Sequence, residues 1–419
     1  MAARSSHRAG TTGDTISSER SKATLPILFS VVIVDLIGFG IVVPVLPYWA
    51  REFGASGLEL GLVQSSYALA QFVAAPLWGR LSDRIGRRPV MLGTIAGTAL
   101  SLAWLGFANS LAALLVARLL AGGFAANVSV ATAYVTDITA EEERTRWMGM
   151  IGASFAVGFT LGPPLGGFLG SFGYDVPMFF AAGLATLNLA VGFFVLKEPE
   201  GGSQDAGATA EPRGRFELLK DVSVRRLFLC YLLFSLAVTQ LENMFQYYMI
   251  DAFQWDVFEV SWILFGMAIV MGSIQGGGMK KLAERYPERV LVTAGGAIMV
   301  LGFFFVPVPG SVAWLMLPLF FLAVGRGVSQ PSLMALASFQ AEAGDRGSVM
   351  GTFQSAASLA RIFGPAIAGL LYDFSRELPF RVGAAFMLAM TLVALTLPRG
   401  AGGKEPVPPA GEPSGEDTA

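Results

Sequence analysis

Long apolar segments alternate with short charged clusters along almost the whole chain. The apolar segments lie near 25–48, 58–79, 89–108, 112–136, 147–170 and 177–196, and then near 227–250, 259–279, 290–309, 313–338, 348–372 and 380–398. Each is roughly 20 residues long, enough for an α-helix to cross a hydrocarbon core of ~30 Å. The pattern predicts an all-α membrane protein with twelve transmembrane helices in a lipid bilayer.

The polar segments divide these helices into two sets of six. Residues 25–196 are predicted to form one bundle and residues 227–398 the other. The segment 197–226 between them is rich in Gly, Pro and charge over 198–215, which is typical of a flexible linker. Residues 1–24 and 399–419 are polar and are predicted to be disordered tails.

Lys and Arg are distributed unequally between the two sets of predicted loops. One set, including the linker, carries 17 of them, whereas the other carries only Arg51, Arg376 and Arg381. Positive charge collects on the cytoplasmic side of membrane proteins. Both termini are therefore predicted to be cytoplasmic, in a bacterial-type inner membrane.

The amino-acid composition limits the partners, metal sites and reactions that this protein could have. Only 14% of the residues are charged, against about 25% in a soluble protein, and the net charge of −2 argues against a nucleic-acid partner. Cys230 is the only cysteine and His7 the only histidine. We therefore expect no disulfide, no metal site and no cofactor. A membrane-embedded enzyme is disfavoured for the same reason, because it needs a nucleophile and base or metal ligands.

The two halves repeat one another. At an offset of 202, the segment from Met148 aligns with the segment from Met350. The residues of the first segment that fall on identical residues of the second include Met148, Gly149, Gly162, Pro163 and Gly167. Two similar halves in the same orientation predict parallel repeats with a substrate path near the midplane between them.

Five charged residues lie in the interior of predicted spans, away from the span ends, where each would cost ~2.5–3.5 kcal/mol if it faced lipid. They are Asp35, Arg118, Glu242, Arg326 and Arg361. They should face a cavity or pair with one another. With no histidine in the spans, Asp35 and Glu242 are the candidate proton carriers. The alternative is a static buried ion pair that fixes packing.

Polar and aromatic residues in the spans are candidates for a substrate cavity. Aromatic faces suit flat apolar or cationic compounds, and amides supply adaptable hydrogen bonds. The candidates, together with Arg326 and Arg361, are Tyr67, Gln71, Asn127, Gln240, Phe245, Gln246, Tyr247, Gln330 and Gln354. The alternative for each is ordinary packing inside a helix bundle.

Four segments resemble motifs of one family of transporters. GRLSDRIGRRPV (79–90) resembles the signature between helices 2 and 3 of the major facilitator superfamily, and GFTLGPPLGG (158–167) resembles the helix-5 motif of its drug:proton antiporter branch. DLIGFGIVVPVLP (35–47) and LVARLLAGG (115–123) are similar to the helix-1 and helix-4 motifs of that branch. The resemblance covers all the predicted spans.

The resemblance implies two gates. At the cytoplasmic side, Asp83 would face the start of helix 11 and Arg87 would pair with Asp137; the other residues of this gate are Gly79, Arg84, Gly86 and Arg88. The alternative is that these arginines only set the topology. In helix 5, Gly158, Gly162 and Gly166 recur every four residues on one face, and with Pro163 and Gly167 they would form a packed hinge that controls the periplasmic gate. Arg118 would be the partner of Asp35.

The predicted function is proton-coupled export of small amphipathic compounds by a monomer that works by alternating access. The nearest relatives suggested are tetracycline exporters, but those rely on further charged residues in helices 8 and 9. The interiors of 259–279 and 290–309 carry none, which argues against tetracycline itself. The alternatives are a proton-coupled importer or facilitator of a small metabolite on the same fold, and a sensor that does not transport.

Overall fold

The structure is a computed structural model that describes residues 11–139, 141–198, 218–308, 310–340 and 346–397. Within these residues the chain forms fourteen α-helices and one π-helical turn. They are α1 Thr11–Glu52, α2 Gly57–Ile85, α3 Arg87–Gly106, α4 Leu111–Phe124, α5 Asn127–Ile138, α6 Glu141–Gly170, α7 Asp175–Val195, α8 Val222–Phe253, α9 Val257–Ser273, the π-turn Ile274–Gly278, α10 Met279–Arg285, α11 Glu288–Phe305, α12 Val312–Gln340, α13 Arg346–Phe374 and α14 Leu378–Ala394.

Every predicted span overlaps a helix, which confirms an all-α protein with membrane-spanning helices. Among the described residues, ten helices are long and apolar enough to cross a membrane, and Leu378–Ala394 is a shorter apolar helix. The 30-residue helix α6 covers the predicted span 147–170. The count of twelve crossings and the two-bundle repeat stay predictions.

The helices depart from the predicted segments in three places. The span 112–136 is two helices, because the backbone turns at Ala125 and Ala126 between α4 and α5. The span 259–279 ends in a π-turn that contains three consecutive glycines, which favour the regular helix least after proline. Helix α1 begins at Thr11, so residues 11–24 of the predicted disordered tail are helical. The described residues do not include 1–10 of the first predicted tail, 199–217 of the predicted linker or the predicted tail 399–419.

The described chain falls into two compact units. The first unit is Met1–Thr209 with Leu236–Ile269 and Ser358–Gly383, and the second unit is Ala210–Ser235 with Val270–Ala357 and Ala384–Ala419. In the second unit α11 and α12 pack closely through glycines: a Cβ on Gly325 would lie 2.6 Å from the carbonyl oxygen of Gly295. The predicted boundary between two bundles at 197–226 stays a prediction.

In the first unit α1 and α6 are joined by glycines. A Cβ on Gly158 would lie 2.6 Å from the Cβ of Leu36, and one on Gly162 would lie 2.5 Å from the Cα of Gly40. Gly166 packs against the backbone of Ile41. The three glycines thus lie on one face of α6, as their spacing predicts, and α1 approaches to backbone contact. Gly167 faces away from α1 and packs against Ser261 of α9.

This contact gives a stability prediction. Gly162→Ala is expected to destabilise the protein by roughly 1–3 kcal/mol, because the new methyl group would meet backbone that cannot rotate away. The matched control is Gly183→Ala in α7, where a Cβ would have open space and should be neutral or slightly stabilising. Thermal unfolding of the two purified variants in detergent measures the difference. Equal transition temperatures would show that α1 and α6 are not in backbone contact.

Candidate functional site

Buried polar residues of the first unit meet around Tyr67 of α2. The guanidinium carbon of Arg118, from α4, lies 4.2 Å from the centre of the Tyr67 ring. Arg118 is 6% exposed and donates a hydrogen bond from NH2 to Oε1 of Gln64 at 3.3 Å. The Nε atom of Arg118 is buried and has no hydrogen-bond acceptor within the described chain. A cation over an aromatic face is attracted to the ring electrons, so Tyr67 holds Arg118 in place.

Asp35 of α1 lies beside the break between α4 and α5. Its Oδ1 accepts a hydrogen bond of 2.9 Å from Nδ2 of Asn127, the first residue of α5. Gln71 of α2 donates to the carbonyl oxygen of Ala125 at 3.0 Å, which satisfies a backbone acceptor at the break. We call Asp35, Tyr67, Arg118 and Asn127 the central cluster.

The predicted pairing of Asp35 with Arg118 is wrong for this structure. Within the described residues, Asp35 is held by Asn127, and Arg118 is held by Tyr67 and Gln64. The physical reason is that each charged group already has another partner. The Tyr67 ring and the Gln64 amide oxygen contact the Arg118 guanidinium, and the Asn127 amide of α5 donates to the Asp35 carboxylate. The two charges therefore stand in one cluster without forming an ion pair.

Small and aromatic residues set the geometry of the central cluster. Gly122 of α4 packs against the backbone of Tyr67, where any side chain would clash, so α4 approaches α2 at this turn. The ring of Phe39 lies 5.5 Å from that of Tyr67 and 5.9 Å from that of Phe159. The Tyr67 ring thus lies between Phe39 of α1 and Arg118 of α4, and Phe159 of α6 packs against Phe39.

The other predicted cavity residues are spread more widely. Arg361 of α13 is exposed and lies within electrostatic range of the Tyr67 hydroxyl, as do Asp35 and Arg118. Glu242 of α8 is exposed. Gln240, Phe245, Gln246 and Tyr247 are buried in packing, and Gln240 donates to the carbonyl oxygen of Gly364 at 3.4 Å. In the second unit, Arg326 and Gln330 are half-buried on α12, and Gln354 is exposed on α13.

The predicted cytoplasmic gate residues form what we call the loop cluster. Arg87 Nε donates to Asp137 at 2.8 Å, and its NH1 donates to Asp83 and to the Ser82 hydroxyl, both at 2.6 Å. The structure thus brings Arg87 and Asp137 together, as the resemblance implies. Arg84 is exposed, and Arg88 donates to the carbonyl oxygen of Phe193 at 2.7 Å. Contact of Asp83 with the start of helix 11 stays a prediction.

Glu198 joins the loop cluster, although no sequence motif singled it out. Its two carboxylate oxygens accept hydrogen bonds from the backbone nitrogens of Arg87 and Arg88, at 2.5 and 3.0 Å. A carboxylate at a helix N-terminus is favourable, so Glu198 caps α3 from the residues that follow α7. The only sequence signal is an acid directly after an apolar span, which is too common to identify a cap.

The two glycines of the helix 2–3 motif are not equivalent. Gly86 has a φ of 103°, and a Cβ there would lie 2.6 Å from the Glu198 carboxylate. Gly79 has open space around it. The reason is that Gly79 lies inside α2, whereas Gly86 forms the turn between α2 and α3.

A matched pair of substitutions tests this difference. Gly86→Ala is expected to reduce transport and lower stability by about 1 kcal/mol or more, because alanine is strained at positive φ and displaces Glu198. Gly79→Ala is expected to leave both near wild type. Drug resistance of cells and thermal unfolding of purified protein measure the two effects. Equal losses in both variants would contradict the assignment of the turn.

The first unit also has what we call its distal end, where α1 ends and α2 begins. Arg51 pairs with Asp251 of α8 at 2.7 Å, and Asp251 accepts a hydrogen bond from the Tyr372 hydroxyl at 2.7 Å. Asp373 accepts hydrogen bonds from the backbone nitrogens of Gly57 and Leu58. We call Arg51, Asp251, Tyr372 and Asp373 the distal cluster. Sequence reasoning missed it, because it joins residues more than 100 positions apart.

Tyr247 lies next to the distal cluster. Its hydroxyl donates to the carbonyl oxygen of Ala55 at 3.1 Å, and the Arg51 guanidinium carbon lies 4.9 Å from its ring centre. The residue is fully buried. In this structure Tyr247 therefore packs against the end of α1, and its role in a substrate cavity stays a prediction.

Next to the distal cluster, α2 contacts α13 and α6 contacts α9 through glycines. Gly61 of α2 packs against the backbone of Pro365 of α13, and Gly369 of α13 packs against the backbone of Gly57. We call this contact between α2 and α13 the distal seam. On the other side, Gly170 of α6 packs against Val257 of α9, next to the contact of Gly167 with Ser261. The predicted gating glycine Gly167 thus lies at a contact of α6 with α9.

A cavity of about 700 Å³ opens at the distal end of the first unit. Its lining includes the aromatic residues Trp49, Phe107, Phe172 and Tyr174 and the acids Glu52, Asp175 and Asp256. Burial and the nearby Glu52 and Asp256 carboxylates raise the pKa of Tyr174 above its ordinary value. Residues of the central cluster do not line this cavity. Among the described residues, no group of His, Cys, Asp and Glu could hold a metal ion.

Membrane-spanning helices around buried charged and aromatic side chains are typical of a membrane transporter. The chain belongs to the Major Facilitator Superfamily, whose family model matches residues 28–365 and 248–417. The relatives are transporters and not enzymes. The resemblance to the drug:proton antiporter branch is confirmed by relatives that are tetracycline and multidrug resistance proteins.

Two of these relatives show how far the similarity extends along the chain. The tetracycline resistance protein, class E, of Escherichia coli is 32% identical over 368 residues, which are 84% of this chain and 89% of the relative. Multidrug resistance protein 2 of Bacillus subtilis is 29% identical over 391 residues, 90% of this chain and 96% of the relative.

Solved structures share the fold. The human organic anion transporter MFSD10 (TETRAN) is 26% identical, with a TM-score of 0.65 over 89% of this chain and 99% of its own. The nucleoside transporter NupG, as its D323A mutant, reaches a TM-score of 0.75 over 89% of this chain and 99% of its own, at 14% identity. At 14% identity, the similarity to NupG shows only that the two proteins share a fold.

Proposed function

We propose that this chain exports small amphipathic compounds in exchange for protons, by alternating access. The observation that carries the proposal is the central cluster, in which a carboxylate and a guanidinium lie in the spans without neutralising one another. An uncompensated charge at membrane depth is costly and is retained where it serves a function. The resemblance to the relatives named above supports export.

The proposed coupling places the proton on Asp35. Its carboxylate is half-buried, and within the described chain its hydrogen bond comes from a neutral amide. Loss of the charge on protonation would be favourable in such surroundings, whereas a cationic group of a substrate would favour the ionised form. Proton and substrate would then compete for one cavity, so that inward proton flow drives the substrate outward.

The central cluster also suggests how a substrate is recognised. Tyr67 and Phe39 offer aromatic faces next to Asp35, and Arg361 supplies a positive charge within range of Tyr67. A flat compound with an apolar body and one charged group would use both kinds of contact. The predicted coupling role of Glu242, and cavity roles for Arg326, Gln330 and Gln354, belong to this proposal.

Tetracycline itself is not the substrate that we favour. Within the described residues of α9, the acid Glu259 lies in the first turn, where its carboxylate accepts from the backbone nitrogen of Asp256 at 2.9 Å. The rest of α9 and the interior of α11 carry no charge. A compound with a larger apolar surface suits these helices better.

The proposed orientation follows from the charge of the loops. With 17 Lys and Arg on the side of the loop cluster, the loop cluster and both termini would face the cytoplasm, and the distal end would face outward. The protein would act as a monomer in the bacterial inner membrane.

Flux in everted membrane vesicles tests the function. Vesicles that contain the wild-type protein are expected to accumulate a fluorescent amphipathic dye only when their interior is acid, and to lose it when the gradient is dissipated. The control is vesicles without the protein. Uptake that ignores the gradient would favour a facilitator, and dye or metabolite driven in the opposite direction would favour a proton-coupled importer.

A further inference from the structure

Asp373, at the end of α13, is bound to the beginning of α2. Its Oδ1 accepts a hydrogen bond of 2.6 Å from the backbone nitrogen of Gly57, and its Oδ2 accepts one of 2.9 Å from that of Leu58. Both oxygens of one carboxylate are thus used by the first turn of a helix that lies 316 positions away in the chain. An anion at a helix N-terminus is stabilised by the free N–H groups and by the helix dipole.

Helix α2 does not need Asp373 in order to begin. The Ser56 hydroxyl accepts from the backbone nitrogen of Glu59, and the Glu59 carboxylate accepts from the backbone nitrogen of Ser56. This reciprocal pair is a complete capping box made by residues of the first turn itself. The contact of Asp373 is an addition, and its effect is to join α13 to α2.

Along the distal seam next to this contact, Gly57 and Gly61 meet the backbone atoms of Gly369 and Pro365. Asp373 is itself exposed, so its oxygens and the two N–H groups can exchange their contact for water when the helices separate. Neighbouring charges are Arg51 and Asp251, whose pair ties α1 to α8, with Glu59 and Arg376 close by.

We propose that Asp373 is a positioning residue that holds the distal seam closed. This inference rests on the proposed alternating access, in which the distal end must open and close. The carboxylate stabilises the closed arrangement by two charge-assisted hydrogen bonds that the open arrangement lacks. Its removal shifts the protein toward the state with an open distal end, and leaves α2 and the central cluster intact.

A cysteine introduced at the buried position 261 can be used to detect opening of the distal end, because it reacts with a maleimide only when it becomes accessible. Ser261 is 1% exposed, packs against Gly167, and accepts a cysteine with little change in volume. The natural Cys230 is fully buried and adds no background reaction. Reaction of Ser261→Cys with a maleimide is measured in detergent, where the reagent reaches both ends of the protein. The exposed position Ser171→Cys, in a parallel variant, normalises the rate.

Asp373→Ala is expected to raise the reaction rate of Ser261→Cys about fivefold, the shift in equilibrium that the loss of one helix cap produces. Asp373→Asn keeps an acceptor oxygen without the charge and should fall between Asp373→Ala and wild type. Glu377→Ala is the matched control, because Glu377 lies four residues further on and pairs with Arg381. It should react as wild type does.

The possible results distinguish a failure of the proposed role of Asp373 from a failure of the proposed alternating access. Unchanged rates in both Asp373 variants, in protein that elutes as a single species and whose Ser171→Cys control reacts normally, would overturn the role of Asp373. A Ser261→Cys that stays unreactive in every variant and with every transported compound would overturn alternating access, and the inference with it. The assay needs no proton gradient, so an increase with Asp373→Ala would stand even if vesicle uptake proved independent of protons.

Discussion

Asp35→Asn is expected to reduce proton-driven dye uptake into everted vesicles to the level of vesicles without the protein. Asparagine has nearly the same shape as aspartate, and its amide oxygen can still accept the hydrogen bond from Asn127. It cannot take up or release a proton. The central cluster should therefore keep its structure while the coupling is lost.

The control for Asp35→Asn is Asp175→Asn, which removes an acid from the cavity at the distal end. This variant should take up dye as wild type does. If Asp35→Asn also kept gradient-driven uptake, the proton would have to travel by another residue. Glu242 would then be the next candidate, and Glu242→Gln would be measured in the same assay.

Arg118→Leu is expected to abolish uptake without lowering thermal stability. The guanidinium is buried, and its Nε has no hydrogen-bond acceptor within the described chain, so an apolar leucine removes an incompletely compensated charge. Arg118→Lys keeps the charge but loses the planar contact with Tyr67. About tenfold slower uptake is expected, because the weaker cation–aromatic contact costs about 1.4 kcal/mol.

Stability and uptake together decide the role of Arg118. A purely structural role would appear as a lower unfolding temperature in Arg118→Leu, with uptake lost in proportion to the folded protein. Tyr67→Phe is the matched control, because it keeps the aromatic face under the guanidinium and should retain most of the uptake.

The sequence predicts the helices well, because a membrane span leaves a long apolar signal that does not depend on its neighbours. The same holds for the face of Gly158, Gly162 and Gly166, whose spacing is a property of one helix. The pairing of Arg87 with Asp137 followed from the family resemblance, and the structure brings the two residues together.

Contacts that depend on how helices meet could not be predicted. Both Tyr67 and Asn127 were candidates for the cavity, but nothing in the sequence shows that one holds Arg118 and the other Asp35. Glu198 and Asp373 are common acids at the ends of apolar spans, and only the packing gives them a helix N-terminus to bind. The sequence motif also does not show that Gly79 has open space around it whereas Gly86 is tightly packed.

The break between α4 and α5 has a consequence for hydration. The first turn of any helix leaves backbone N–H groups without an acceptor inside that helix, and α5 begins at Asn127, within an otherwise continuous apolar segment. Irregular backbone at membrane depth is tolerated only where protein or water satisfies it. Gln71 serves one carbonyl group of the break, and water is expected to serve the amides that follow. Backbone amides at 127–129 should then exchange with deuterium faster than those in the middle of α1, and the same water would give protons a path to Asp35.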